Sequence, residues 1–179
     1  MAKKVYIAID GGNFYRKLKD KKIGCVHPAD FDYLKFVKSL AGMNKIIGVS
    51  YYVGQIREEA GNEKSKILKR DQDRFLARLQ NIGFKVKRGY ILKSDSGYHE
   101  KGVDVQMAVD ICMMAVREEY DRLILISSDT DLIPAIKEVK LLDKEVEYVG
   151  FDFSPSFALI RFSDSRTLLK KEDLTKFLK

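Results

Sequence analysis

Short apolar or β-branched runs punctuate the chain at 5–9, 46–53, 84–90, 123–126 and 146–149, each flanked by turn-forming residues. Runs of that length and composition predict β-strands. Between them the period changes. Leu68, Phe75, Leu79 and Ile82 recur at helical spacing, and Gly83 supplies a stop, which predicts a helix over Glu63–Asn81. Residues 103–117 are apolar on nearly all sides, the pattern of a helix buried against both a sheet and a neighbouring helix. A further helix is expected at 130–142, and helices are expected in the remaining gaps. Residues 91–102 show neither period and read as a long surface loop, while the chain beyond Phe157 holds two more short amphipathic stretches. Strands alternating with helices predict an α/β fold around a mainly parallel sheet of at least five strands. With no repeat and no low-complexity linker, residues 1–179 read as a single domain.

In such sheets, sites gather beyond the carboxyl ends of the strands, where the winding direction reverses. The segment "YIAIDGGNFY" ends its apolar run on Asp10, and "LILISSDTDL" ends its run on Asp129 and Asp131. Asp104, in "EKGVDV", falls in the first turn of the apolar helix, where the helix dipole favours a negative group. A sheet that winds from its first strand and then reverses seats the first and fourth strands side by side. Four carboxylates from distant segments then share one edge.

Taken singly, each of these acids is adequately explained as a helix cap or a dipole partner. Together they raise an electrostatic problem, because like charges a few Å apart need protons or cations between them. Hard divalent ions answer it: Mg²⁺ takes oxygen ligands, keeps several waters and is commonly shared with substrate phosphates. That chemistry belongs to metal-assisted phosphodiester hydrolysis. Gly11 and Gly12 would let the backbone approach a ligand, and Asn13 would orient a water or a phosphate. Asp110, six residues beyond Asp104, projects elsewhere and is expected in a structural salt bridge or hydrogen bond.

The composition narrows the classes. The chain carries 33 Lys and Arg against 26 Asp and Glu, a net charge of +7, which favours polyanionic partners. Cys25 and Cys112 support neither a disulfide framework nor a Cys-x-x-Cys metal site, and a reducing, cytoplasmic setting is expected. The apolar run behind the basic start is too short for a signal-peptide core, and no membrane association is expected. A phosphatase of the haloacid dehalogenase type needs a second Asp where Gly12 stands, and neither a G-x-G-x-x-G nor a P-loop motif follows the first strand.

The three segments "YIAIDGGNFY", "EKGVDVQMAVDI" and "ILISSDTDLIPAIKEVK" resemble the signature segments of the NYN domain, and in particular its bacterial LabA-like branch, relatives of the PIN nucleases. The resemblance runs from about residue 4 to about residue 150 with the motifs in the family's order. It implies a PIN-like, Rossmann-like three-layer α/β/α sandwich and a ribonuclease site dependent on Mg²⁺ or Mn²⁺. By that similarity Asp10, Asp104 and Asp129 are the main metal-binding acids, with Asp131 beside them and Asn13 as a polar catalytic partner. Gly12 departs from the family, where this position is often polar. The resemblance also admits an alternative, a weakly active or inactive regulatory module that binds RNA or a protein.

Substrate contacts can be sought in the residues themselves. Lys66, Arg70, Arg74 and Arg78 recur every four residues and would form one basic stripe on their helix. Arg16 and Lys101 lie near the acidic motifs, and Ser127 and Ser128 stand in the strand-end segment itself. Tyr51 and Tyr52 end the second strand, and Tyr98 lies in the presumed loop. Cations that hold phosphates beside aromatics that stack on bases suit single-stranded RNA. The expected substrate-binding set is Asn13, Arg16, Tyr52, Arg70, Arg74, Arg78, Lys101, Ser127 and Ser128, with self-association as a homodimer left open.

Overall fold

The computed structural model describes residues 2–56, 58, 61–94 and 97–178. Its elements run β1 (Lys4–Asp10), α1 (Gly11–Leu18), α2 (Tyr33–Ala41), β2 (Lys45–Val53), α3 (Glu63–Asn81), β3 (Lys85–Arg88), β4 (Tyr90–Ser94), β5 (Gly97–Lys101), α4 (Val103–Val116), β6 (Arg122–Ile126), α5 (Ile133–Leu141), β7 (Glu145–Phe151), α6 (Phe157–Phe162), β8 (Ser165–Leu169) and α7 (Lys171–Thr175). Six strands form one sheet in the order β3-β2-β1-β6-β7-β8, and each neighbouring pair is parallel.

The period of two along β1 divides the interior. Val5, Ile7 and Ile9 face one core, shared with Phe14 of α1, Phe36 of α2 and Phe75 of α3. Tyr6 and Ala8 face the other, shared with Met107 of α4 and with Ile136 and Val139 of α5. Helices on both faces make three layers, and the central strands are continuously apolar because neither face meets water.

The chain winds outward from β1 to β3, then crosses back to place β6 on the other side of β1. The expected adjacency of the first and fourth apolar runs is therefore present, with Ile9 opposite Ile126. The switch point lies between β1 and β6, and their carboxyl ends carry Asp10 and Ser127.

Two local readings need correction, and the tail takes a definite form. Residues 91–102 are not a loop: β4 and β5 form an antiparallel hairpin outside the main sheet. The run at 84–90 breaks at Gly89, so that Tyr90 opens the hairpin. The tail supplies a short helix, the edge strand β8 and a second short helix. As expected, α4 packs against both the sheet and α5, but its outer side is left uncovered. Met107, Ile111 and Ala115 are covered, whereas Val105, Val109, Met113 and Val116 are exposed.

Candidate active site

Asp10 holds two positions at once. It is the last residue of β1 and the N-cap of α1, and its Oδ1 accepts the Asn13 backbone N–H at 2.9 Å. Its Oδ2 accepts the hydroxyl of Ser127 at 2.9 Å. The Ser127 Oγ in turn accepts the Asp129 N–H at 3.0 Å, and Asp129 Oδ1 accepts the Asp131 N–H at 2.9 Å. A hydrogen-bonded chain thus ties the ends of β1 and β6 together. The cap reading of Asp10 and Asp129 is correct as local structure. It does not compete with a site, because the capping oxygens keep further lone pairs.

Gly11 owes its identity to packing rather than to a ligand. A Cβ there would lie 2.2 Å from the Tyr51 ring and 2.7 Å from the Tyr52 carbonyl oxygen, so only glycine lets α1 leave the sheet at this angle. Gly102 does a similar job for the third acid. It precedes α4 at φ +84°, with the Tyr90 ring 2.4 Å from where a Cβ would stand. This turn sets Asp104 in the first turn of α4, at the positive end of its dipole.

Asp10, Asp104 and Asp129 line one cavity of about 320 Å³ together with Gly12, Asn13, Arg16 and Val103. Burial raises the Asp10 carboxyl above the usual carboxylate range, and the charge of Asp129 adds to this, while the Asn13 N–H, the Ser127 hydroxyl and Arg16 pull it down. The Asp104 carboxyl is also raised, first by partial desolvation and then by Asp129, Asp10 and Asp131. Asp129 thus acts on both Asp10 and Asp104. Asp131 contributes charge and a backbone donor, but its side chain does not line the cavity.

The remaining expected site residues divide. Asn13 and Arg16 reach the cavity, and Arg16 Nε also donates to the Gly12 carbonyl at 3.1 Å. Ser127 is buried with its hydroxyl committed to Asp10 and Asp129, so it positions acids rather than contacting substrate. Tyr52 is fully buried and shares hydrogen bonds with Tyr6 and Asp110, which leaves no ring face for a base. Asp110 has the structural role expected of it, accepting also from Gln106 at 2.7 Å and pairing with Lys87 at 3.3 Å. Arg70 and Arg74 pair with Asp71, and Arg78 with Asp30; none lines the acid cavity, nor do Lys101 and Ser128. The side chains of Tyr98 and His99 lie outside the described residues.

A family model described as NYN domain matches residues 4–169, a span that contains all three acidic segments and every strand of the main sheet. The chain belongs to the NYN family. NYN domains are PIN-like and are generally nucleases, which makes nucleic acid the substrate class of the family. The chain is similar to an uncharacterized protein of the archaeon Methanocaldococcus jannaschii, 30% identical over 105 residues, a match that spans 52% of this chain and 42% of the archaeal one. In three dimensions it is similar to a crystal structure of a protein of unknown function from Vibrio parahaemolyticus. That likeness has a TM-score of 0.72 at 22% identity and covers 99% of this chain and 97% of the other. It bears on the fold, a mostly parallel six-stranded sheet flanked by helices, as in a PIN-like sandwich. Among the described residues of this NYN domain, no helix is long and apolar enough to cross a membrane.

Proposed function

We propose that this NYN domain, of the LabA-like type and extending over residues 1–179, is a cytoplasmic metal-dependent ribonuclease that hydrolyses phosphodiester bonds of single-stranded RNA. The observation that carries this reading is the convergence of Asp10, Asp104 and Asp129, from β1, α4 and the end of β6, on one cavity at the switch point. Burial first, and then neighbouring carboxylates, raise the carboxyls of Asp10 and Asp104, and a cation in the cavity would offset both costs of ionising them.

The donor set fits a hard cation of a particular kind. Among the described residues no three acidic, His or Cys side chains stand close enough to enclose an ion directly. Mg²⁺ and Mn²⁺ sites of phosphoryl enzymes commonly use one or two carboxylates and keep several waters, and Asp10, Asp104 and Asp129 can supply such a set with Asp131 as a nearby charge. A bound divalent ion lowers the pKa of a coordinated water and offsets charge at the phosphate. The residues do the rest. Ser127 keeps Asp10 oriented and hydrogen-bonded, Asn13 offers an amide to a water or a phosphate oxygen, and Arg16 places a guanidinium at the cavity wall.

The absence of a direct three-ligand cage among the described residues favours a second reading, a regulatory NYN module that binds RNA without cutting it. Labelled single-stranded RNA incubated with Mg²⁺, Mn²⁺ or EDTA, using wild type and Asp129→Asn in parallel, separates the two. Metal-dependent cleavage by wild type alone supports the enzyme; binding without cleavage supports the module.

A further inference from the structure

The basic surface that contacts the strand need not be the stripe on α3, whose arginines have acidic partners. A different set of cations has none. Lys17 of α1 and Lys22 of the following turn both place their ammonium 5.4 Å from the centroid of one ring, Phe153, in the segment that leaves β7. Lys17 Nζ is also 2.7 Å from Ser154 Oγ. Lys171 of α7 adds a third ammonium, 3.8 Å from where a side chain at Gly24 would begin. Lys21 is exposed in the same turn. Among the described residues none of these lysines forms an ion pair, and neither do the nearby acids Asp20 and Asp152.

The ring face attracts each ammonium, but among the described residues no carboxylate neutralises either charge, so both remain open to an anion. The position of the cluster says which anion. Arg16, on the wall of the acid cavity, directly precedes Lys17, and at 1.5 Å rise per residue Lys17 lies about 10 Å along α1 from Asp10. The Phe153 segment follows β7, which is the neighbour of β6 on the same carboxyl edge. Lys17 therefore meets this edge at Ser154, one strand beyond β6, and among the described residues no carboxylate pairs with it.

We propose that Lys17 and Lys22, gathered on Phe153 and extended by Lys21 and Lys171, form a cradle that holds backbone phosphates of the RNA strand outside the acid cavity. The cradle deepens the ribonuclease reading and rests on it for the identity of the polyanion. Its test is fluorescence anisotropy of a short labelled single-stranded RNA in EDTA, across a salt series, with Lys17→Ala/Lys22→Ala, Lys21→Ala/Lys22→Ala and, as a comparison, Arg70→Ala/Arg74→Ala. The first variant should bind roughly tenfold more weakly, with the salt slope reduced by about 0.7 for each lost phosphate contact, and the second should weaken in the same sense. The α3 variant should bind as wild type does. Wild-type affinity and slope in both lysine variants overturn the cradle and leave the active-site proposal standing. Weak lysine variants together with undiminished cleavage by Asp129→Asn support the cradle and overturn the active-site assignment. Tighter binding of an acidic polypeptide than of RNA overturns the choice of polyanion.

Discussion

The hydroxyl of Ser127 lies 2.9 Å from Oδ2 of Asp10, a contact between residues 117 positions apart. Through it the end of β6 fixes the carboxylate at the end of β1, and Ser127 Oγ also receives the Asp129 N–H. One small side chain therefore sets two acids of the candidate site. Replacing it with alanine should leave Oδ2 of a buried carboxylate without its donor, and it should cost about 1–3 kcal/mol in denaturant unfolding. Ser127→Thr, which keeps the hydroxyl, should recover most of that loss. If alanine and threonine variants unfold at the same denaturant midpoint, the contact does not orient Asp10.

Asp10→Asn and Asp129→Asn should abolish metal-dependent RNA cleavage with the fold retained. Either change removes a charge from a crowded group without opening a cavity, and Asn can still accept the capping N–H. Circular dichroism would report the fold and a gel assay the cleavage. Undiminished activity in repurified Asp10→Asn protein would sink the assignment.

Asp104→Asn should behave oppositely with and without metal. A carboxyl whose pKa is raised on folding contributes stability that is full below its ordinary value, near 3.8, and lost as pH rises through the raised value. Near neutral pH in EDTA the charged Asp104 therefore costs stability, and the Asn variant should melt higher than wild type. The difference should shrink as pH is lowered toward 4 and below. Mn²⁺ at about a hundred times its dissociation constant should stabilise wild type by roughly 2.7 kcal/mol and the variant by less. Equal melting of the two proteins in EDTA at pH 7 and at pH 4 would remove the evidence for mutual repulsion.

Gly102→Ala should be costly on two counts. The position has φ +84°, and the new methyl would meet the Tyr90 ring. A left-handed conformation costs a non-glycine residue roughly 1–2 kcal/mol, and the ring contact adds to it. Because Tyr90 is mostly exposed, Tyr90→Ala should relieve the second part and leave the first. A double-mutant cycle by thermal melting measures the split, and additivity of the two changes would mean that the ring moves aside at no cost.

The sheet and the acidic edge were legible because both follow from local pattern. Apolar runs ending in Asp10 and Asp129 marked the strand ends, and parallel winding from the first strand put them side by side. The hairpin of β4 and β5 was not, since its residues show no steady alternation of apolar and polar positions and it stands apart from the main sheet. Tyr52 was misplaced for a general reason. A strand covered by helices on both faces buries consecutive residues, so neither Tyr51 nor Tyr52 is left outside. The spacing of Arg70, Arg74 and Arg78 showed a shared helix face, with Asp71 beside it in plain view, but could not show Asp30, 48 residues away. The cluster on Phe153 was hidden for the converse reason, because α1 with its following turn, the segment after β7 and α7 each supply part of it.

The placement of the site on the seam between β1 and β6 has a consequence for the time at which it appears. β1, β2 and β3 can pair as soon as the first half of the chain is available, with Asp10 already capping α1. The cavity must wait for the crossover that brings β6 home, a long-range closure that is slow compared with local pairing. During synthesis, a nascent chain that has not yet exposed residues 122–129 holds one acid of the cavity's walls in place and lacks Asp129 altogether. In a chain that emerges from its N-terminus, the three acids can therefore be brought together before β7 and β8 complete the sheet.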